Sequence, residues 1–318
     1  MAGITPLLDH RLLFVTGKGG VGKTSVASAI GMLAAERGKR TLVCEVDAKG
    51  NLADFLGVGP LQFEATEVRK HLFAMSMDTE ESLKEYLRIF LKVPFVSRMG
   101  TLAGAFDFIA NAAPGVKEIL TVGKLTYDVK EHHYDLVVVD ASATGHVVGQ
   151  LASPVAINEL VKVGLVRNQT DWMIDILTDH TQTGVVVVTA PEEMPVSETL
   201  ELIGRLGTET EIGLAAVVVN RVLPELFSGD DEAIFEQLRS GPPLDALTAQ
   251  IGPGATDVLE AADLAVRLRR GRVSHLSRLR DGLPTGVDLL YLPYLFHRAH
   301  GVRATGRIAE ELGSELGF

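Results

Sequence analysis

Gly17-Lys18-Gly19-Gly20-Val21-Gly22-Lys23-Thr24 reads as a complete phosphate-binding loop with one lysine more than such a loop needs. Lys23 is placed to reach the β- and γ-phosphates, and the Thr24 hydroxyl to hold Mg²⁺. Gly17, Gly19, Gly20 and Gly22 allow the backbone N–H groups of the loop, through Val21 to Ser25, to turn inward onto the phosphates. Lys18 follows the first glycine directly. A cation there is badly placed for its own nucleotide and well placed for a neighbour's. The loop therefore implies a nucleotide hydrolase whose site is shared between two subunits.

The surroundings of the loop agree with this reading. Residues 11–16 form a short apolar run expected to be a strand, and residues 25–36 carry Val26, Ile30 and Leu33 at helical spacing. Gly38 stops that helix, and a second strand is expected over 41–46. Strand, loop and helix in this order put phosphates at a helix N-terminus, where backbone donors and the dipole favour anions.

The remaining chain alternates in the same way. Strands are expected at 72–77, 134–140, 185–189, 214–220 and 287–292. Helices are expected at 195–207, at 256–280 and from 302 onward. A helical insertion, with Phe90, Phe95, Val96, Phe106 and Phe108, is expected at about 79–131, and a smaller helical segment at about 153–183. The Gly-Pro-Pro and Gly-Pro-Gly stretches near 241–254 read as a loop. Alternating strands and helices imply an α/β fold, a P-loop NTPase with a mostly parallel sheet covered by helices on both faces. With no repeat and no second phosphate loop, residues 1–318 read as a single domain.

Two acids complete the expected chemistry. Leu136-Val137-Val138-Val139-Asp140 is a buried strand ending in a carboxylate, suited to hold Mg²⁺ through water. The loop expected at 141–146 follows it, and Gly145 would let that loop move. Asp47 closes the second strand and opens a loop over 48–54; its carboxylate can orient the attacking water. Phosphoryl transfer needs positioning and charge neutralisation above all, so Asp47, Lys18 and Lys23 are the catalytic candidates.

Composition narrows the classes further. A net charge of −11 argues against a nucleic-acid partner. The one basic cluster, Arg267-Leu268-Arg269-Arg270-Gly271-Arg272, reads as a solvated helix face. No apolar run approaches the roughly 20 residues of a membrane span, and no signal-peptide pattern opens the chain. The expected location is cytoplasmic, peripheral to a membrane only through a partner. The single cysteine, Cys44, lies in a strand and reads as a small buried hydrophobe, so no zinc or thiolate site is expected. His132 and His133 are adjacent and read as solvent-facing.

These residues resemble a family. The doubled-lysine loop is similar to that of the deviant Walker A group, which includes MinD, ParA and the nitrogenase iron protein. Asp140-Ala141-Ser142-Ala143-Thr144-Gly145-His146 resembles the second switch of the arsenite-pump ATPase (ArsA) and the related ATPases that target tail-anchored proteins, with Ala143 replacing a usual proline. Residues 47–54 match the first switch in both acids but carry Ala48 and Gly50 in place of Pro and His. Pro114-Gly115-Val116-Lys117-Glu118, Thr189-Ala190-Pro191-Glu192-Glu193-Met194 and Val196-x-Glu198-Thr199 resemble further segments of that family. Val219-Asn220-Arg221 and Leu292-Pro293 are similar to its adenine-contacting positions.

The resemblance implies ATP or ADP with Mg²⁺, adenine read by Asn220 with Arg221 and Pro293 nearby, and Lys18 acting in trans. It implies a homodimer, or a heterodimer with a paralogous ATPase, and a hydrophobic or membrane-protein client. Arsenite efflux by thiols does not suit one cysteine. The zinc-bound CxxC that often closes the targeting ATPases is missing, and only seven methionines are present where their client groove is rich in methionine. Apolar bulk around 83–127 could line a groove or pack against the domain.

Three classes stay open at this level. One is an ATP-driven dimeric switch acting on a client. The second is a positioning ATPase of the ParA or MinD kind. Against it stand the missing basic DNA face and the mixed charge of Arg307-Ile308-Ala309-Glu310-Glu311-Leu312, which reads as a packed helix. The third is a regulatory subunit that binds nucleotide and hydrolyses it poorly, which the altered first switch allows.

Overall fold

The computed structural model describes residues 5–47, 50–90, 115–161, 163–225, 227–295 and 301–318. Ala48, Phe95, Val96, Phe106, Phe108 and Pro114, named above, lie outside them. Eight described strands form one sheet: β1 (Leu12–Gly17), β2 (Thr41–Glu45), β3 (Thr66–Arg69), β4 (Leu72–Ser76), β5 (Leu136–Asp140), β6 (Thr183–Thr189), β7 (Leu214–Val222) and β8 (Asp288–Pro293). Their order is β3-β4-β2-β5-β1-β6-β7-β8. Every neighbouring pair is parallel except β3 with β4, a hairpin at one edge.

The strand residues sort by parity. Leu13 and Val15 join one core with Val43, Val138, Val186 and Val218, while Leu12 and Phe14 join another with Leu42, Cys44, Val139 and Val187. Alternate side chains leave a strand on opposite faces, so continuous apolar runs need cover on both. α1 (Lys23–Glu36) and α11 (Val302–Glu315) cover the first face through Val26, Ile30, Leu33, Ala309 and Leu312. α4 (Val116–Lys130), α5 (Thr144–Leu160), α6 (Leu165–Thr178), α7 (Glu193–Glu209) and α10 (Gly254–Gly282) cover the second through Val122, Val148, Leu177, Leu202 and Leu279. The α/β class and the covered parallel sheet expected from the sequence are therefore present. Among the described residues no helix is long and apolar enough to cross a membrane.

Several boundaries differ from expectation, for identifiable reasons. The smaller helical segment, expected from about residue 153, begins earlier, at Thr144: α5 runs Thr144–Leu160 with Pro154 inside it. Pro154 is buried, and tertiary packing holds the helix through it. Gly145 and His146 consequently sit in the first turn of α5 and not in a loop. The segment near 241–254 contains α9 (Pro242–Ile251), whose prolines occupy N1 and N2; there the missing N–H costs nothing and the fixed φ favours a helix. α2 (Asn51–Leu56) cuts short the loop expected to run to residue 54, and α8 (Gly229–Leu238) and strand β3 went unread. His132 and His133 lie just beyond α4, exposed, with His132 bonded to Arg11 and His133 to Asp128. The basic cluster lies on α10 and is ion-paired: Arg267 with Asp263, Arg269 with Glu225 and Arg270 with Glu232. α3 (Thr79–Phe90) and α4 lie at the two ends of the stretch expected to be a helical insertion, and β6 starts at Thr183, where the smaller helical segment was expected to end.

Candidate nucleotide site

The C-terminal ends of the central strands converge on one edge of the sheet. Val15 is in register with Asp140, Glu45 with Asp140, and Gly17 with Val188. In open α/β sheets, ligands bind at this end. The phosphate loop leaves β1 here and enters α1 at Lys23.

Packing makes glycine obligatory at two points in the loop. At Gly17 a Cβ would lie 2.1 Å from the Val188 carbonyl oxygen. Gly22, at φ 101°, would place one 2.3 Å from the Asn220 amide nitrogen. Asn220 sits that close because its Nδ2 donates to the Val21 carbonyl at 2.8 Å, while its Oδ1 accepts the Arg221 N–H at 2.9 Å. Arg221 itself has a φ of 61° and its carbonyl accepts from Arg272. Asn220 thus braces the phosphate loop. Pro293 ends β8, in register with Val222 two residues beyond Asn220.

Thr24 and Asp140 lie side by side. The Thr24 hydroxyl donates to Asp140 Oδ2 at 2.7 Å, and among the described residues Asp140 Oδ1 is buried with no hydrogen-bond partner. Burial pushes the Asp140 carboxyl up to about 6, against the pull of the Thr24 hydrogen bond and the Lys23 ammonium; Glu45 and Asp47 add to the upward push. A buried oxygen left without a donor costs free energy, and a cation bound beside Thr24 would relieve it. The donor set, a hydroxyl and a hard carboxylate oxygen, suits Mg²⁺.

Asp47 lies beside the loop that follows β5. The Ser142 hydroxyl donates to Asp47 Oδ1 at 3.2 Å, and the Ser142 carbonyl accepts from the Thr16 hydroxyl at 2.9 Å. The segments after β1, β2 and β5 are therefore linked by hydrogen bonds. Lys23 Nζ donates to the Lys18 carbonyl at 3.3 Å. Lys18 turns to its own chain: its Nζ is 2.6 Å from Glu198 Oε1 on α7.

The sequence reading missed Ser142, Thr16 and Glu45 as site-supporting residues. A signal existed for one of them. Glu45 is a charged residue, 3% exposed, ending a strand whose other members are all buried. Cys44 is fully buried, and its surroundings push the thiol far up, as a small core residue requires.

Comparison with known proteins adds to this geometry. The pattern that defines the family described as anion-transporting ATPase (ArsA_ATPase) matches residues 10–174 and 164–239. The chain is 31% identical to the ATPase BagA of Mycobacterium tuberculosis, over 88% of this chain and 89% of that one. It is 29% identical to the ATPase ASNA1 homolog 1 of Paramecium tetraurelia, over 66% and 74%, and 28% identical to the ATPase GET3 of Podospora anserina, over 49% and 47%.

Proposed function

This chain belongs to the anion-transporting ATPase family and hydrolyses ATP, and we propose that it works as a dimeric switch that closes on ATP around a shared pair of sites. The observation that carries the proposal is the Ser142–Asp47 hydrogen bond, 3.2 Å long. It ties the segment bearing the water-orienting acid to the segment that follows the Mg²⁺-binding acid. Loss of phosphate at one is then felt at the other.

Each residue has a role in this account. Backbone N–H groups from Gly19 to Thr24, with Lys23, hold the phosphates at the start of α1. Thr24, and Asp140 through water, would hold Mg²⁺, which when bound would neutralise phosphate charge. Asp47 orients the attacking water. Lys18 exchanges Glu198 for the phosphates of a second subunit, where it neutralises charge developing in the transition state. Asn220 braces Val21 and, with Arg221 and Pro293 near, reads adenine. The partner is a second copy or a paralogous ATPase.

The client of the switch is a hydrophobic segment of a protein. Leu160 and Val163, at the turn from α5 to α6, are 82% and 83% exposed, with Val155 and Val166 close in sequence and also exposed. Large apolar side chains grouped on a surface mark binding sites more often than single exposed ones do.

Light scattering on the full chain tests the switch. A non-hydrolysable ATP analogue with Mg²⁺ should give a dimer, and ADP should return the smaller species. One mass with both nucleotides contradicts the proposal.

A further inference from the structure

Glu45 is the last residue of β2, 3% exposed, and among the described residues it has no ion-pair partner. Among the described residues its carboxylate is met by backbone N–H groups. Oε2 accepts the Gly50 N–H at 3.1 Å; Oε1 accepts the Asn51 N–H at 3.0 Å and faces the Leu52 N–H at 3.5 Å. A buried carboxylate is costly unless donors surround it. Glu45 also raises the pKa of Asp140 beside it in register. A hydrophobe would suit the end of this strand without either penalty, so the carboxylate calls for a specific reason.

Its position supplies one. Asp47 lies between Glu45 and the amides that Glu45 holds. On the near side, the Val46 N–H donates to the Asp140 carbonyl at 3.2 Å, and the Asp47 carboxylate accepts from Ser142. On the far side, Gly50 turns at φ 73° into α2, and its N–H returns to Glu45. The side chain of Glu45, two residues before Asp47, thus fastens the amides that open α2 after it.

We propose that Glu45 is a positioning residue for ATP hydrolysis, whose carboxylate clasps the Gly50 and Asn51 amides and thereby holds Asp47 against the attacking water. The inference rests on the proposed role of Asp47. It goes beyond that role by naming what fixes the acid in place. An acid displaced by about 1 Å from its productive position can lose on the order of a hundredfold in rate.

The test measures single-turnover ATP hydrolysis, ADP affinity and amide exchange in the full chain. Glu45→Gln keeps the shape and replaces one accepting oxygen with a donor. It should slow hydrolysis by tenfold to about a hundredfold, leave ADP affinity within about twofold, and speed exchange at Gly50 and Asn51. Glu45→Asp, which keeps the charge with a shorter reach, should recover part of the rate; it also serves should Glu45→Gln not fold. Adding Glu45→Gln to Asp47→Asn should cost nothing more, because the clasp acts through Asp47. Faster exchange with unchanged hydrolysis overturns the inference and leaves Glu45 as a helix cap. Losses that multiply in the double variant overturn it too. Wild-type hydrolysis in Asp47→Asn alone overturns the underlying role of Asp47, a result separate from either.

Discussion

Lys18 Nζ lies 2.6 Å from Glu198 Oε1 of its own chain, joining the phosphate loop to α7. Both side chains are partly exposed, at 28% and 32%, and such pairs contribute about 1 kcal/mol or less. A contact this weak holds Lys18 in one place without committing it there. Phosphates offered by a second subunit can displace Glu198.

The pairing makes Glu198 a brake on closure. Glu198→Gln should favour the ATP-bound dimer by up to about fivefold, equivalent to ~1 kcal/mol. Nucleotide affinity of the single subunit should stay unchanged. Dimerisation measured against ATP-analogue concentration gives the answer; a weaker dimer would mean that Glu198 supports the closed form.

Removing the lysine itself separates binding from chemistry. Lys18→Ala should bind ADP with nearly the parent's affinity and lose hydrolysis by about a thousandfold, the scale of a cationic finger supplied in trans. Turnover and equilibrium binding on the same preparation check this. Comparable losses in both would make Lys18 an ordinary phosphate ligand.

Asp140 predicts a pH dependence whose sign can be worked out. Its folded pKa of about 6 lies above the usual 3.8, so the folded state holds the proton more tightly than the unfolded one. Its contribution to stability is therefore present at low pH and is lost as pH rises from about 4 through about 6. In the absence of metal and nucleotide, Asp140→Asn should melt above the parent at neutral pH, with the gap closing toward acid. With Mg²⁺ and ADP the order should reverse. A parent more stable than Asp140→Asn at neutral pH without Mg²⁺ would refute the assignment.

Asn220 is predicted to have two roles that mutation can divide. Asn220→Ala frees the Val21 carbonyl and should cost roughly 1–3 kcal/mol if that group stays buried. If the amide also reads adenine, the preference for ATP over GTP should shrink. Equal losses for ATP and GTP would leave Asn220 as a brace alone.

The phosphate loop, the strand ending at Asp140 and the alternating pattern were legible because each depends on local spacing. Thr24 and Asp140, 116 positions apart, meet because one begins the helix after β1 and the other ends the neighbouring strand β5. What escaped depends on contacts far along the chain or on signals of opposite meaning. The sequence places Lys18 for a neighbour's nucleotide, and only the fold reveals Glu198, 180 positions away, as its present partner. Pro154 and Pro242 carry the same residue type in opposite roles, one inside a helix and one starting it. Ser142 was quoted as part of a switch, but its bridge from Thr16 to Asp47 requires three strand ends side by side.

The shared site is the central claim, and subunit mixing tests it most directly. Lys18→Ala lacks the donated cation; Asp47→Asn lacks the water-orienting acid; each alone should be inactive. In a mixed dimer the Lys18→Ala subunit keeps its own Asp47 and receives Lys18 from its partner, restoring one site. With half of the dimers mixed and one of two equivalent sites working in each, the mixture should recover about a quarter of the parent turnover. A mixture as inactive as its components would place Lys18 in its own subunit's site and contradict the account.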